Sequence, residues 1–158
     1  MDEGLIENWN RKVKKGDLVY ILGDFTMRVK EKEIAPILKR LNGQKVLVKG
    51  NHCYFSREKW AKKYFTEICD YKEIYDNGEK VILCHYPILS WNRQAYGSIH
   101  LYGHVHTSYA HQHPHPNAFN VGVDVNDYEP KTLEELKKRE QHCWAWDTPP
   151  LDKSLRSW

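Results

Sequence analysis

Four places in this chain carry side chains able to hold a cation, and each comes directly after a run of apolar residues. Leu18–Leu22 leads into Gly23-Asp24, and Val46-Leu47-Val48 into Lys49-Gly50-Asn51-His52. Val81–Cys84 leads into His85-Tyr86-Pro87, and Ile99–Tyr102 into Gly103-His104-Val105-His106. Asp, Asn and His offer oxygen and imidazole donors, a set that suits zinc, manganese or iron better than magnesium alone. A carboxylate can also bridge two cations. Sites in α/β folds assemble at the carboxyl ends of strands, where the loops converge. Taken singly, each group has a plainer reading. Gly-Asp is a common turn, His52 or His85 could be an isolated histidine, and His-x-His places two rings on one face of any strand. The succession of four predicts a single cluster.

Those residues need elements to position them. The continuous runs 18–22, 46–48, 81–84 and 99–102 suit strands covered on both faces. Residues 119–125, where Val121, Val123 and Val125 alternate, are a further candidate strand. Leu5, Ile6, Trp9 and Val13 predict a helix over 3–13. Ile34, Ile37, Leu38 and Leu41 predict another over 30–41, kinked or restarted at Pro36 and stopped at Asn42-Gly43. Trp60, Ala61, Tyr64 and Phe65 predict a third over 57–65 behind a Ser56 cap. Thr132 and Glu135 form a capping box for a fourth, running to about Gln141. Asn77-Gly78, between 71–75 and 81–84, is a type I′ hairpin turn. The order predicts one α/β domain over 1–142 with a mixed sheet or a two-sheet sandwich. A Trp- and Pro-rich tail over 143–158 is expected to pack back onto it.

Composition narrows the function classes. The length of 158 residues suits one domain. Lys+Arg number 24 against 21 Asp+Glu, and the resulting +3 is too mild to argue for a nucleic-acid partner. With 41% apolar and 28% charged residues the chain is not of the disordered class. No run of about 18 apolar residues offers a membrane span. Cys53, Cys69, Cys84 and Cys143 form no C-x-x-C pair, and no apolar leader follows Met1. A reducing, cytoplasmic location with free thiols is the expectation. Of the nine histidines, His111, His113 and His115 alternate with Gln and Pro and read as a solvated, proline-stiffened loop. Arg93, just after the His85 motif, is a candidate to pair with a substrate phosphate and equally a surface arginine.

The motifs Gly23-Asp24, Gly50-Asn51-His52, Cys84-His85-Tyr86-Pro87 and Gly103-His104-Val105-His106, with Asn120-Val121-Gly122-Val123-Asp124 behind them, resemble the calcineurin-like metallophosphoesterase superfamily. The small bacterial and phage branch is the nearest in pattern, over roughly residues 1–137. The resemblance implies a four-layer α/β/β/α sandwich and two divalent metal ions (Mn, Zn, Fe or Mg). By resemblance, Asp24 bridges the two metals, Asn51, His85 and His104 complete one site, and His106 binds the other. His52 would act as the catalytic proton donor, a role that a pKa near neutrality permits. The implied activity is hydrolysis of a phosphodiester or phosphomonoester, small or nucleotide-like, by a metal-bound hydroxide.

The same resemblance points to a gap. The family's first motif, Asp-x-His on the first strand, occurs nowhere in this sequence, and Asn8-Trp9-Asn10 matches the segment between the first and second motifs. The expectation is a domain lacking its first strand, with one metal site whole and the other incomplete, and with a late-assigned start codon as the favoured explanation. The alternative function is a catalytically impaired, mono-metal-binding or interaction domain of the same fold. Cys53 stands where family members usually carry Asp or Glu, and a thiol hydrogen-bonds only weakly.

Overall fold

The structure, a computed structural model, describes residues 2–26, 30–57, 59–106 and 113–143. His111 and the tail beyond Cys143 lie outside the described residues. The apolar runs become strands of two sheets. The first sheet holds β1 (Leu18–Leu22), β2 (Gln44–Val48) and β3 (Glu67–Cys69), in that order and all parallel. The second holds β4 (Tyr71–Asp76), β5 (Glu79–Cys84), β6 (Ile99–Tyr102) and β7 (Ala118–Asn120). There β4 and β5 are antiparallel and the rest parallel. Asn77 (φ 49°) and Gly78 (φ 86°) close the β4–β5 hairpin with the two positive φ values a type I′ turn requires.

Side chains alternate between the faces of each strand, so each sheet feeds two cores. Ile21 and Leu47 face the helices and pack with Ile34, Leu38, Phe55, Ala61 and Phe65. Leu22 and Val48 face the other sheet and meet Val81, Leu83, Ile99 and Phe119. Outside the second sheet, Ile82 and Tyr102 are covered by Trp91 and Ile88 from the loop after His85. The result is a mixed α/β sandwich with helices α1 (Asp2–Lys12) and α2 (Glu31–Arg40) outside the first sheet. Helix α3 (Leu133–Cys143) sends Leu133 and Leu136 into the core between the sheets.

Asn8-Trp9-Asn10 is structural glue. Trp9 Nε1 donates to the Asn42 carbonyl (2.9 Å), and Asn10 Oδ1 accepts the Asn42 main-chain N–H (2.8 Å). Asn8 Nδ2 donates to the Tyr128 carbonyl (3.2 Å). Among the described residues no strand pairs with the outer side of β1. A groove of about 1150 Å³ runs along that edge, between Leu5, Ile6 and Trp9 of α1 and the inter-sheet residues Leu83, Leu101 and Leu136, and it opens at Asp24 and His104.

Several sequence expectations are corrected. Helix α2 runs unbroken through Pro36, because this proline lies on the exposed face and the carbonyl of exposed Lys32 four residues back is left to water. The helix expected over 57–65 is replaced by two single 3₁₀ turns, Tyr54–Arg57 and Ala61–Lys63. Ser56 does not cap; its hydroxyl donates back to the Cys53 carbonyl (2.7 Å) and tightens the first turn. The strand expected over 119–125 stops at Asn120. Asn126, 1% exposed, donates to the carbonyls of Asn120 and Gly122 and curls the chain into a 3₁₀ turn at Val123–Val125. The Thr132–Glu135 capping box is present in both directions.

Gly4 sits within α1 with open space where a Cβ would stand. Gly4→Ala is expected to stabilise the fold by about 0.5–1 kcal/mol through helix propensity alone, read by chemical denaturation.

Candidate metal centre

The site starts from an unusually close approach of two chain ends. Beyond β1, Gly23 takes φ 83° and Asp24 φ 45°. A Cβ on Gly23 would stand 2.8 Å from both Cα and N of Gly50, so the turns after β1 and β2 touch where neither residue has a side chain. That contact sets Asp24 beside Asn51 and His52. The His52 main-chain N–H donates to Asp24 Oδ1 (2.8 Å), and the Asp24 main-chain N–H donates to Cys53 Sγ (3.2 Å). Cys53 is buried and has a role: its sulfur braces the left-handed turn from below, while burial pushes its thiol pKa up and keeps it protonated.

His85 follows β5 and is 1% exposed. Its Nδ1–H donates to the Leu22 carbonyl (2.8 Å), which fixes the tautomer. Its Nε2 then faces two acceptors, Asn51 Oδ1 at 3.0 Å and Asp24 Oδ2 at 3.3 Å. A buried lone pair aimed at two oxygens needs a cation or a proton between them. His104 completes the ring of donors: it takes φ 66°, and its Nδ1 lies 3.1 Å from Asn51 Oδ1. Loss of solvation, then the neighbouring His85, lowers the His104 pKa below the ordinary value and keeps its lone pair available near neutral pH. Donor atoms of Asp24, His85 and His104 all lie within 4.8 Å of one another. Mixed carboxylate, amide and imidazole donors at this spacing fit a divalent cation.

The other expected site residues sit differently. His106 is not on the same face of a strand as His104, because β6 ends at Tyr102 and the left-handed His104 turns the chain. Its side chain is 83% exposed, and its Nδ1 meets Asp124 Oδ2 at 2.8 Å. His52 is half-buried beside Asp24, its ring edge-on to Tyr54. Arg93 lies in the outer loop at φ 62°, over the Tyr96 ring, and lines a surface cavity with Tyr75 and Lys80.

Two residues of the site escaped the sequence reading. Asp124 holds His106 through the carboxylate–imidazole pairing common around metal sites. The signal was available, since Asp124 closes the Asn120–Asp124 stretch that accompanies the motifs. The Tyr86 ring packs edge-on to His85 (4.9 Å) and His104 (4.8 Å) and walls the donors on one side. Removing the carboxylate with Asp124→Ala is expected to release His106 from its Nδ1–H form, visible in the ring ¹⁵N shifts.

Comparison with known proteins bears on the family and the fold. Residues 3–134 match the family model described as "Calcineurin-like phosphoesterase superfamily domain". The chain is 34% identical over 143 residues to the "Uncharacterized protein MJ1445" of Methanocaldococcus jannaschii, spanning 87% of this chain and 74% of that protein. It is also similar to the crystal structure of the protein of unknown function AQ665 from Aquifex aeolicus. That likeness has a TM-score of 0.67 and 29% identity, over 87% of this chain and 84% of the other. A match over nearly all the described sandwich, with the donors at its strand ends, makes the chain a member of the calcineurin-like phosphoesterase superfamily.

Proposed function

We propose that this protein is a metal-dependent phosphoester hydrolase whose main cation site is formed by Asp24, Asn51, His85 and His104. The observation that carries the reading is the buried Nε2 of His85 aimed at the oxygens of Asp24 and Asn51. A divalent cation bound there supplies charge neutralisation for phosphoryl oxygens and acidifies water. The chain's own residues do the rest. Leu22 and Cys53 hold His85 and Asp24 in place, the first through its carbonyl and the second through its sulfur. His52, beside Asp24, is the candidate proton donor to the leaving oxygen. The substrate class is a phosphodiester or phosphomonoester, small or nucleotide-like, with manganese, zinc, iron or magnesium as the ion. No helix among the described residues is long and apolar enough to cross a membrane, and a cytoplasmic location stays part of the proposal.

A second reading is favoured by one observation: His106 is turned to Asp124 and stands outside the cluster of Asp24, His85 and His104. On that reading the domain holds one ion firmly and turns over little substrate. Hydrolysis of a chromogenic phosphoester with added manganese, zinc or magnesium tests the first reading. Turnover that vanishes in Asn51→Ala supports it; equal residual turnover in wild type and variant sinks it. Close to one ion per purified chain without turnover supports the second.

A further inference from the structure

The chemistry above uses His52, His85, His104 and His106, and a separate group of imidazoles lies on the outside of the second sheet. His100, on β6, is fully buried (0% exposed). Its ring packs against Trp91 (5.2 Å between centroids), Tyr102 (5.4 Å) and His113 (6.2 Å). Trp91 also contacts His113 (5.4 Å) and His115 (4.9 Å). His113 and His115, expected to be solvated, are therefore partly buried against a core.

What these rings hold is main chain. His100 Nδ1 faces the Ile82 carbonyl (3.3 Å). His100 Nε2 accepts the Ile88 N–H (3.2 Å) and lies equally close to the Tyr86 carbonyl (3.2 Å). His113 Nε2 donates to the Ile88 carbonyl (2.9 Å), while its Nδ1 accepts the His115 N–H (3.1 Å). Three main-chain groups of Tyr86 and Ile88 thus end on imidazoles. These two residues flank Pro87 directly after His85, and the Tyr86 ring stands against His85 and His104.

We propose that His100 and His113 are positioning residues: they clamp the Tyr86–Ile88 segment and so hold the Tyr86 ring against the metal centre, and the clamp changes partners when His100 is protonated. This rests on the proposed function only for its consequence at the metal centre; the clamp itself does not need it. Neutral His100 donates from Nδ1 to Ile82 and accepts from Ile88 at Nε2. A proton added at Nε2 turns that acceptor into a second donor. It then opposes the Ile88 N–H and favours the Tyr86 carbonyl instead. Among the described residues, the titratable groups facing the pair are His115 from the same segment and Tyr102 from β6; β5 presents the Ile82 carbonyl, and the loop after His85 presents main-chain groups and the Trp91 indole. Burial first, and then His113, hold the His100 pKa below the ordinary histidine value, so the neutral form prevails at neutral pH and the hold passes from the Ile88 N–H to the Tyr86 carbonyl on acidification.

The test is amide hydrogen exchange at Ile88 in the whole chain without metal, corrected for intrinsic rates. Protection of the Ile88 amide is expected to fall about tenfold as the pH is taken from about 7.5 down through and below the ordinary histidine range, to about 4.5, because its acceptor becomes a donor. His100→Gln is expected to remove that pH dependence. It is also expected to weaken Mn²⁺ binding several-fold in calorimetry at neutral pH, as is His113→Ala. Ile88 protection in the wild type that does not change with pH overturns the clamp, and this measurement needs no variant to fold. Mn²⁺ affinity unchanged in both folded variants overturns the link to the metal centre. Phosphoester turnover enters neither readout, so an inactive wild type would count against the proposed function and leave the clamp standing.

Discussion

His85→Ala is expected to lower divalent-metal affinity by at least about a hundredfold and to remove phosphoester turnover with it. Outer-shell partners of metal ligands already cost about 10–100-fold when lost, and His85 would be a ligand itself. Of the two imidazoles in the described donor cluster, the substitution deletes the one that is fully buried with a fixed tautomer. It also leaves the Leu22 carbonyl without its donor and opens a cavity below Asp24 and Asn51. Calorimetric titration with Mn²⁺ measures the first effect and a chromogenic substrate the second. A thermal melt run beside them separates loss of the site from loss of the fold. Retained affinity within a few-fold of wild type would remove His85 from the ligand set.

Gly50→Ala comes next, and it removes no donor atom. A Cβ there would fall against Asp24 Oδ1 and stand 2.8 Å from His85 Cε1 and 2.9 Å from Asp24 Cγ. Neither side chain can retreat freely: Asp24 is held by the His52 N–H, and His85 by Leu22. Asp24 and His85 must therefore separate, and the expected result is a loss of metal affinity of about 10–100-fold, with about 1–3 kcal/mol of overpacking cost. Gly4→Ala, in open space, is the matched control. Equal metal affinity in Gly50→Ala and wild type would show that the donors are not packed as described.

How much of this could be read from residues alone depended on the length and continuity of the signal. β1, β2, β5 and β6 are continuous apolar runs, because both faces of each are covered, and such runs are visible without neighbours. β3 is three residues, Glu67–Cys69, with no pattern of its own; its pairing with β2 makes it a strand. The region 54–63 carries helical spacing, yet Phe55 stacks on Trp60 at 5.8 Å, and two tight turns achieve that contact. At the site, each donor was legible as a strand end. Their convergence depends on sheet order and on the Gly23–Gly50 contact, which no local spacing encodes. His106 shows the limit most plainly: the His-x-His spacing reads as one face, and a single left-handed residue redirects the second ring to Asp124.

Asp24 and His104 share a feature with a wider meaning. Both occupy the left-handed region, where glycine rests without cost and a residue with a Cβ gives up about 1–3 kcal/mol. Selection for stability alone would place glycine at both positions, beside the glycines already next to them in sequence. A carboxylate and an imidazole stand there instead, each in the less comfortable backbone. On the proposed function, the chain gives up robustness for chemistry at these two points of its own backbone. A variant evolved only to resist heat would be expected to erase the site before it disturbed the core.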